Sequence, residues 1–169
     1  MNDKKKIVGI ASSANPASMS KKMTEYVLEG AKEAGAETKL IDLRLTKLNY
    51  CTGCLKCLKN GMCHLNDEFE SIKKVLYEAD GIVLSSPTYC GTYNAIYKNF
   101  VDRLGLYEHL TSNLGGKYIV GISSAGSKNM AKKTAKEMVN AVSEGTFMRG
   151  YISSIIGVSS VRGSQDLEQ

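Results

Sequence analysis

Short apolar runs alternating with longer amphipathic stretches constrain this chain more than any other feature. "KIVGIA" at 6–11, "TKLID" at 38–42, "GIVLSS" at 81–86, "KYIVGIS" at 117–123 and "YISSIIGV" at 151–158 each read as a strand. The third is apolar without alternation, as expected of a strand covered on both faces in the middle of a parallel sheet. Helical spacing fills the gaps. Met23, Val27, Gly30, Ala31 and Ala34 recur along 20–35, and Phe69, Ile72, Val75 and Leu76 share a face within 68–79. Further helices are expected over 95–104 and 130–143. Such alternation predicts a mostly parallel sheet with right-handed crossovers and helices on both faces.

A chain of 169 residues is long enough for one such unit, so a single α/β domain over 1–169 is expected. A doubly wound, flavodoxin-like five-stranded parallel sheet suits that length. Only "SVRGSQDLEQ" follows the last strand, so the C-terminal helix that should cover it is expected to be short or absent. No apolar run approaches the ~20 residues of a membrane span, and "IVGI" after the N-terminal lysines is shorter than a signal h-region. Membrane partners are therefore not expected. The net charge of +5 comes from scattered lysines with no basic, aromatic-interleaved stripe, which argues against nucleic acid. A cytoplasmic location is expected, and there clustered cysteines favour metal or redox chemistry over disulfides.

In open α/β sheets ligands bind beyond the carboxyl ends of the strands, and three loops fall there. "SSANPASMSKK" offers hydroxyls and backbone amides before a helix start. It would cradle a phosphate, or Ser18 or Ser20 would simply cap the helix. In "SSPTYCGTYN" Pro87 and Gly91 fix a turn, and Tyr89 and Tyr93 are flat surfaces for a planar heteroaromatic ligand or ordinary packing residues. "SSAGSKN" is small and polar, with Gly126 allowing close backbone approach.

Four of the five cysteines lie within 51–63, "CTGCLKCLKNGMC". A C-x2-C-x2-C run lets one short segment wrap three irons of a cubane cluster, and Cys63 would close the set begun by Cys51, Cys54 and Cys57. Zinc is the rival metal, although its sites usually separate two knuckles by a longer spacer. A third alternative keeps these thiols unligated on one face of a helical turn. Cys90 stands apart, as a packing or ligand-lining residue. His64 and His109 are read as surface side chains.

Together, "GIASSANPASMS", "CTGCLKCLKNGMCHLNDEFE", "ADGIVLSSPTYCGTYNAIYKNFVDR" and "SSAGS" resemble the flavodoxin-like NADPH-dependent FMN reductase superfamily, and within it the iron–sulfur flavoprotein group. The resemblance covers roughly residues 6–130. It implies FMN at the strand ends, a [4Fe-4S] cluster on the cysteine motif, and homodimers or homotetramers that bring the two together. Carried over by position, Ser13, Ser18, Met19 and Ser20 correspond to the phosphate loop. Pro87, Thr88, Tyr89, Cys90, Gly91 and Thr92 correspond to the loop along the isoalloxazine ring, and Ser124, Ala125 and Gly126 to a third flavin-contacting loop. Cys51, Cys54, Cys57 and Cys63 correspond to the cluster ligands. The first loop departs from the family's G-S-P-R-K, because Ser12-Ser13-Ala14-Asn15-Pro16 lacks the basic residue. The implied function is electron transfer between FMN and the cluster, with a small-molecule or protein redox partner and no catalytic side chain. The alternative is an NAD(P)H-dependent FMN or quinone reductase without a metal, and a zinc-bearing binding module is a third reading.

Overall fold

The computed structural model describes residues 4–127, 129–143 and 151–159, except the side chains at 106, 107, 109–111, 143 and 151–154. The elements are β1 (Lys6–Ala11), α1 (Met19–Glu33), β2 (Glu37–Asp42), α2 (Lys56–Asn60), α3 (Phe69–Glu78), β3 (Gly81–Tyr89), β4 (Thr92–Tyr93), α4 (Ala95–Thr111), β5 (Tyr118–Ala125), α5 (Met130–Ser143) and β6 (Tyr151–Ser159). Five strands pair in parallel in the order β2-β1-β3-β5-β6. This is the doubly wound, flavodoxin-like order, and the winding reverses between β1 and β3. The residues beyond 159, where a closing helix was in question, lie outside the described residues, as does the side chain of His109.

Alternate residues of each strand point to opposite faces, which divides the core in two. Val8, Ile10, Ile82, Leu84 and Ile119 pack under α3, α4 and α5 with Phe69, Leu76, Phe100, Leu104 and Met138. Val83 and Ile122, on the other face, meet Met19, Met23 and Leu28 of α1. α5 lies unusually close to the sheet because Gly121 has no side chain. A Cβ there would sit 2.7 Å from the Ala135 carbonyl oxygen and 2.6 Å from a Val139 methyl.

The structure departs from the sequence-based boundaries at three places. β3 runs on through Pro87 to Tyr89. The Ser12 amide donates to the Ser85 carbonyl at 3.1 Å, so Ser85 faces β1 and, two residues on, Pro87 faces the same side. β1 pairing ends at Ala11 opposite Ser85, so the missing proline N–H breaks no ladder bond. Tyr89 and Thr92 then pair around a two-residue turn, Cys90 and Gly91, both with positive φ (48° and 86°). That is the geometry of a tight β-hairpin, which a Cys-Gly pair announces only weakly. Finally, α4 continues past Leu104 to Thr111. The polar Glu108 does not end it, because its carboxylate is buried and accepts from the Leu114 amide at 2.9 Å and from the Tyr77 hydroxyl.

Replacing Gly121 with Ala is expected to push α5 off the sheet and cost about 1–3 kcal/mol. Urea unfolding should show a lower midpoint with an unchanged slope.

Candidate functional site

Parallel pairing carries the loops after β1, β3 and β5 to one edge of the sheet. The first is tied down internally. Ser18 caps α1, Ser18 and Ser20 hydroxyls pair at 2.9 Å, and the Asn15 and Ala17 amides donate to Ser13 Oγ and Asn15 Oδ1. Ser13, Ser18, Met19 and Ser20 are all buried, whereas Ala14–Ala17 are exposed. The capping reading is thus realised. A cap does not exclude an anion, since the first turn of α1 contains no acidic side chain and presents the positive end of the helix dipole.

In the second loop Pro87 lies within β3, and Thr88 is fixed through its hydroxyl to Ser123 (3.1 Å) and Thr134 (3.0 Å). Tyr89 is half exposed, Cys90 and Thr92 are exposed, and Gly91 completes the turn. The edge-on contact of Tyr93 with Tyr97 (5.0 Å between centroids) makes Tyr93 a packing residue. Ser124 and Ala125 end β5, with Ala125 buried and Gly126 exposed beyond it. Lys128 lies outside the described residues.

Sequence reasoning missed Asn94, the residue that joins the first two loops. It is 4% exposed and caps α4. Its Nδ2 donates to the Ser12 carbonyl at 2.6 Å, while its Oδ1 accepts from Ser12 Oγ, Ser86 Oγ and the Tyr97 amide at 3.0–3.2 Å. Its own amide donates to Ser86 Oγ at 3.0 Å. An asparagine before a helical run was the available signal.

The cysteine loop leaves the same edge after β2. Cys51, Cys54, Cys57 and Cys63 line one pocket with Thr52, Leu55, His64, Leu65 and Arg103, whereas Cys90 sits apart on the hairpin. α2 supplies Cys57, starting from Leu55 in the left-handed region (φ 59°). No disulfide joins them. The Lys56 amide hydrogen-bonded to Cys54 lowers that thiol's pKa, and Cys54 Sγ lies 3.3 Å from His64 Nδ1. Burial pushes the Cys57 thiol up, and the neighbouring Cys63 adds to this.

α4 lines the pocket through Arg103, and α3 holds the cysteine loop from outside it. The Cys63 amide donates to Glu70 (2.8 Å), and Lys73 bridges Glu70 and the Gly61 carbonyl. Arg103 donates to both Asp67 oxygens (2.7 and 3.1 Å) and to the Asn49 carbonyl (2.8 Å). Burial would raise the Asp67 carboxyl, but hydrogen bonds from Arg103 and from the Asn49 and Phe69 amides outweigh it and hold its pKa at about 2.

The donor set fits a thiolate-bound cluster: four cysteines of one segment around one pocket, beside a fixed cation. The cavity is about 20 Å³, and among the described residues no three His, Cys, Asp or Glu side chains converge as ligands of a single ion. A cubane holds its thiolates further apart than one ion does, so four cysteines around one pocket suit it without meeting at a point. Among the described residues no helix is long and apolar enough to cross a membrane.

The family model described as NADPH-dependent FMN reductase matches residues 5–157. An iron-sulfur flavoprotein of Archaeoglobus fulgidus is 35% identical over 113 residues, covering 67% of this chain and 51% of that protein. One from Methanocaldococcus jannaschii is 36% identical over 124 residues, covering 72% and 64%. The chain thus spans between about half and two thirds of these relatives. Among solved structures, a flavone reductase superposes with a TM-score of 0.70 at 22% identity, covering 92% of this chain and 54% of that one. An NADH:FMN oxidoreductase in its apo form gives 0.69 at 21%, covering 91% and 75%. Both likenesses are of fold.

Asn94→Ala should destabilise the protein by about 2–4 kcal/mol, through loss of the cap on the Tyr97 amide and of the buried hydrogen bond to the Ser12 carbonyl. Asn94→Ser, which still caps, should regain about 1 kcal/mol in urea melts. The depressed Asp67 pKa contributes stability that is full above the unfolded carboxyl value and is lost as pH falls from about 4 to about 2. Acid titrations of unfolding free energy should show roughly 2 kcal/mol of this loss, and Asp67→Asn should flatten that part of the curve.

Proposed function

The chain belongs to the NADPH-dependent FMN reductase family, and from that premise we propose that it is an FMN-dependent oxidoreductase passing electrons between FMN and a [4Fe-4S] cluster. Cys51, Cys54, Cys57 and Cys63 are its proposed ligands. The observation that carries this reading is the lining of one pocket by all four cysteines of the run, at the loop-bearing edge of the sheet. The iron-sulfur flavoproteins similar to this chain support it. When bound, FMN exchanges electrons in pairs or singly and the cluster exchanges them one at a time, which lets a two-electron donor serve a one-electron acceptor.

The chain's own contribution is binding and orientation. Ser13, Ser18, Met19 and Ser20 form the proposed phosphate end, where the α1 dipole and backbone amides replace the missing basic residue. Pro87–Thr92 form a rigid hairpin wall for the ring, held by Thr88 to Ser123 and Thr134. Ser124, Ala125 and Gly126 offer a small-residue edge close to that wall. No acid or base is assigned, because the chemistry belongs to the cofactors. Tyr50, Leu55 and Met62 are exposed around the cysteine loop, which supports docking of a redox partner or of a second subunit in a homodimer or homotetramer. A cytoplasmic location belongs to the same reading, since reduced thiols are needed to load iron.

The match of residues 5–157 to the NADPH-dependent FMN reductase family supports a second reading, an NAD(P)H-dependent FMN or quinone reductase whose cysteines stay free. Oxygen-free purification separates the two. The first expects FMN, iron and acid-labile sulfide, and Cys54→Ser should lose the iron and brown colour while keeping FMN. A yellow, sulfide-free parent that oxidises NAD(P)H establishes the second. Equal iron in parent and Cys54→Ser refutes the ligand assignment, and stoichiometric zinc without flavin refutes both readings.

A further inference from the structure

Arg103 is a cation buried to an unusual degree, with its side chain 1% exposed beside an Asp67 side chain that is fully buried. Two terminal nitrogens are spent on Asp67 and the Asn49 carbonyl. The Phe69 ring lies 4.5 Å from the guanidinium carbon. Its Nε is buried and has no hydrogen-bond partner among the described residues. A structural ion pair does not need this donor left over, and a buried donor without an acceptor is costly. The residue nevertheless lines the pocket of the four thiols and is the permanently charged member of that lining. Cys63 lies beside the guanidinium: burial would lower the Arg103 pKa, but hydrogen bonding to Asp67 and the charge of Cys63 raise it. Lys56 and Lys59, the other cations of the loop, are exposed and screened by water. Glu70 and Lys73 offset one another at 2.6 Å.

We propose that Arg103 is a positioning residue for the iron–sulfur centre, holding a fixed, desolvated charge with a donor to spare beside Cys63 and raising the potential at which that centre takes up an electron. The inference rests on the cluster reading above. One electron from dithionite makes the centre more negative by one charge, and a desolvated cation held nearby favours that state. A hydrogen bond to a ligating sulfur acts in the same direction. The Asn49 carbonyl and the Phe69 ring keep the guanidinium in place, and pairing with Asp67 lowers the cost of burying it.

The test compares parent, Asp67→Asn, Asp67→Asn/Arg103→Gln and Arg103→Lys, all purified without oxygen and assayed for iron and sulfide. Dithionite titration followed by visible absorbance gives midpoint potentials, and EPR reads the reduced centre. Asp67→Asn keeps the cation and should match or exceed the parent's potential. The double variant should lie below both, and Arg103→Lys should lie between it and the parent with a changed EPR signal. Equal potentials for Asp67→Asn and the double variant, at equal iron, overturn the proposal. If the double variant does not fold, Arg103→Lys decides: a lower potential supports the role, and a potential and EPR signal identical to the parent's overturn it. A parent free of iron and sulfide overturns the cluster reading and this inference together, whereas iron-loaded proteins of identical potential overturn this inference alone.

Discussion

Parallel pairing of β1, β3 and β5 is the constraint from which the rest follows. With Ala11 opposite Ser85 and Pro87 opposite Ser124, the three small-residue loops have no choice but to share an edge. The helices that return the chain must each begin at that edge, so their N-terminal dipoles add to its polarity. The loop after β2 begins there as well. Proximity of the cysteine segment to the flavin-type loops is therefore a consequence of topology, and no special contact is needed to create it.

α4 then converts proximity into fixed geometry. Asn94 at its start fastens the first loop to β3 through Ser12 and Ser86. Further along, Asn99 donates to the Leu48 carbonyl at 3.2 Å and Arg103 holds Asn49 and Asp67. Buried polar groups are expensive unless paired, so these contacts resist loosening more than apolar contacts of equal number. One helix thus holds both halves of the proposed site in register, and a change at either end is felt by loops distant in sequence.

Much of this was legible in the chain as written. Apolar runs bounded by helical spacing identified the five parallel strands and their order of appearance, most plainly β3, where burial on both faces leaves a continuous apolar run. A turn at Gly91 was legible, but the hairpin it closes was not, since the positive φ of Cys90 is imposed by the pairing of Tyr89 with Thr92 and not by cysteine's own preference. The length of α4 was also hidden. Its continuation past Leu104 depends on burying the Glu108 carboxylate, which needs the Tyr77 hydroxyl from another helix as well as the nearby Leu114 amide.

The sequence by itself determined the parallel α/β class and the loops gathered at the strand ends, because these depend on periodicity and local spacing, and the resemblance of its motifs pointed to the family. It also named four thiols close enough along the chain to share a ligand. Only the tertiary structure decided that Asn94 and Arg103 are the residues binding those loops together, and that a buried guanidinium stands against the cysteine pocket. The reason is that both roles depend on partners tens of residues away, and the desolvation that gives a buried hydrogen bond its strength exists only once the chain has closed around it.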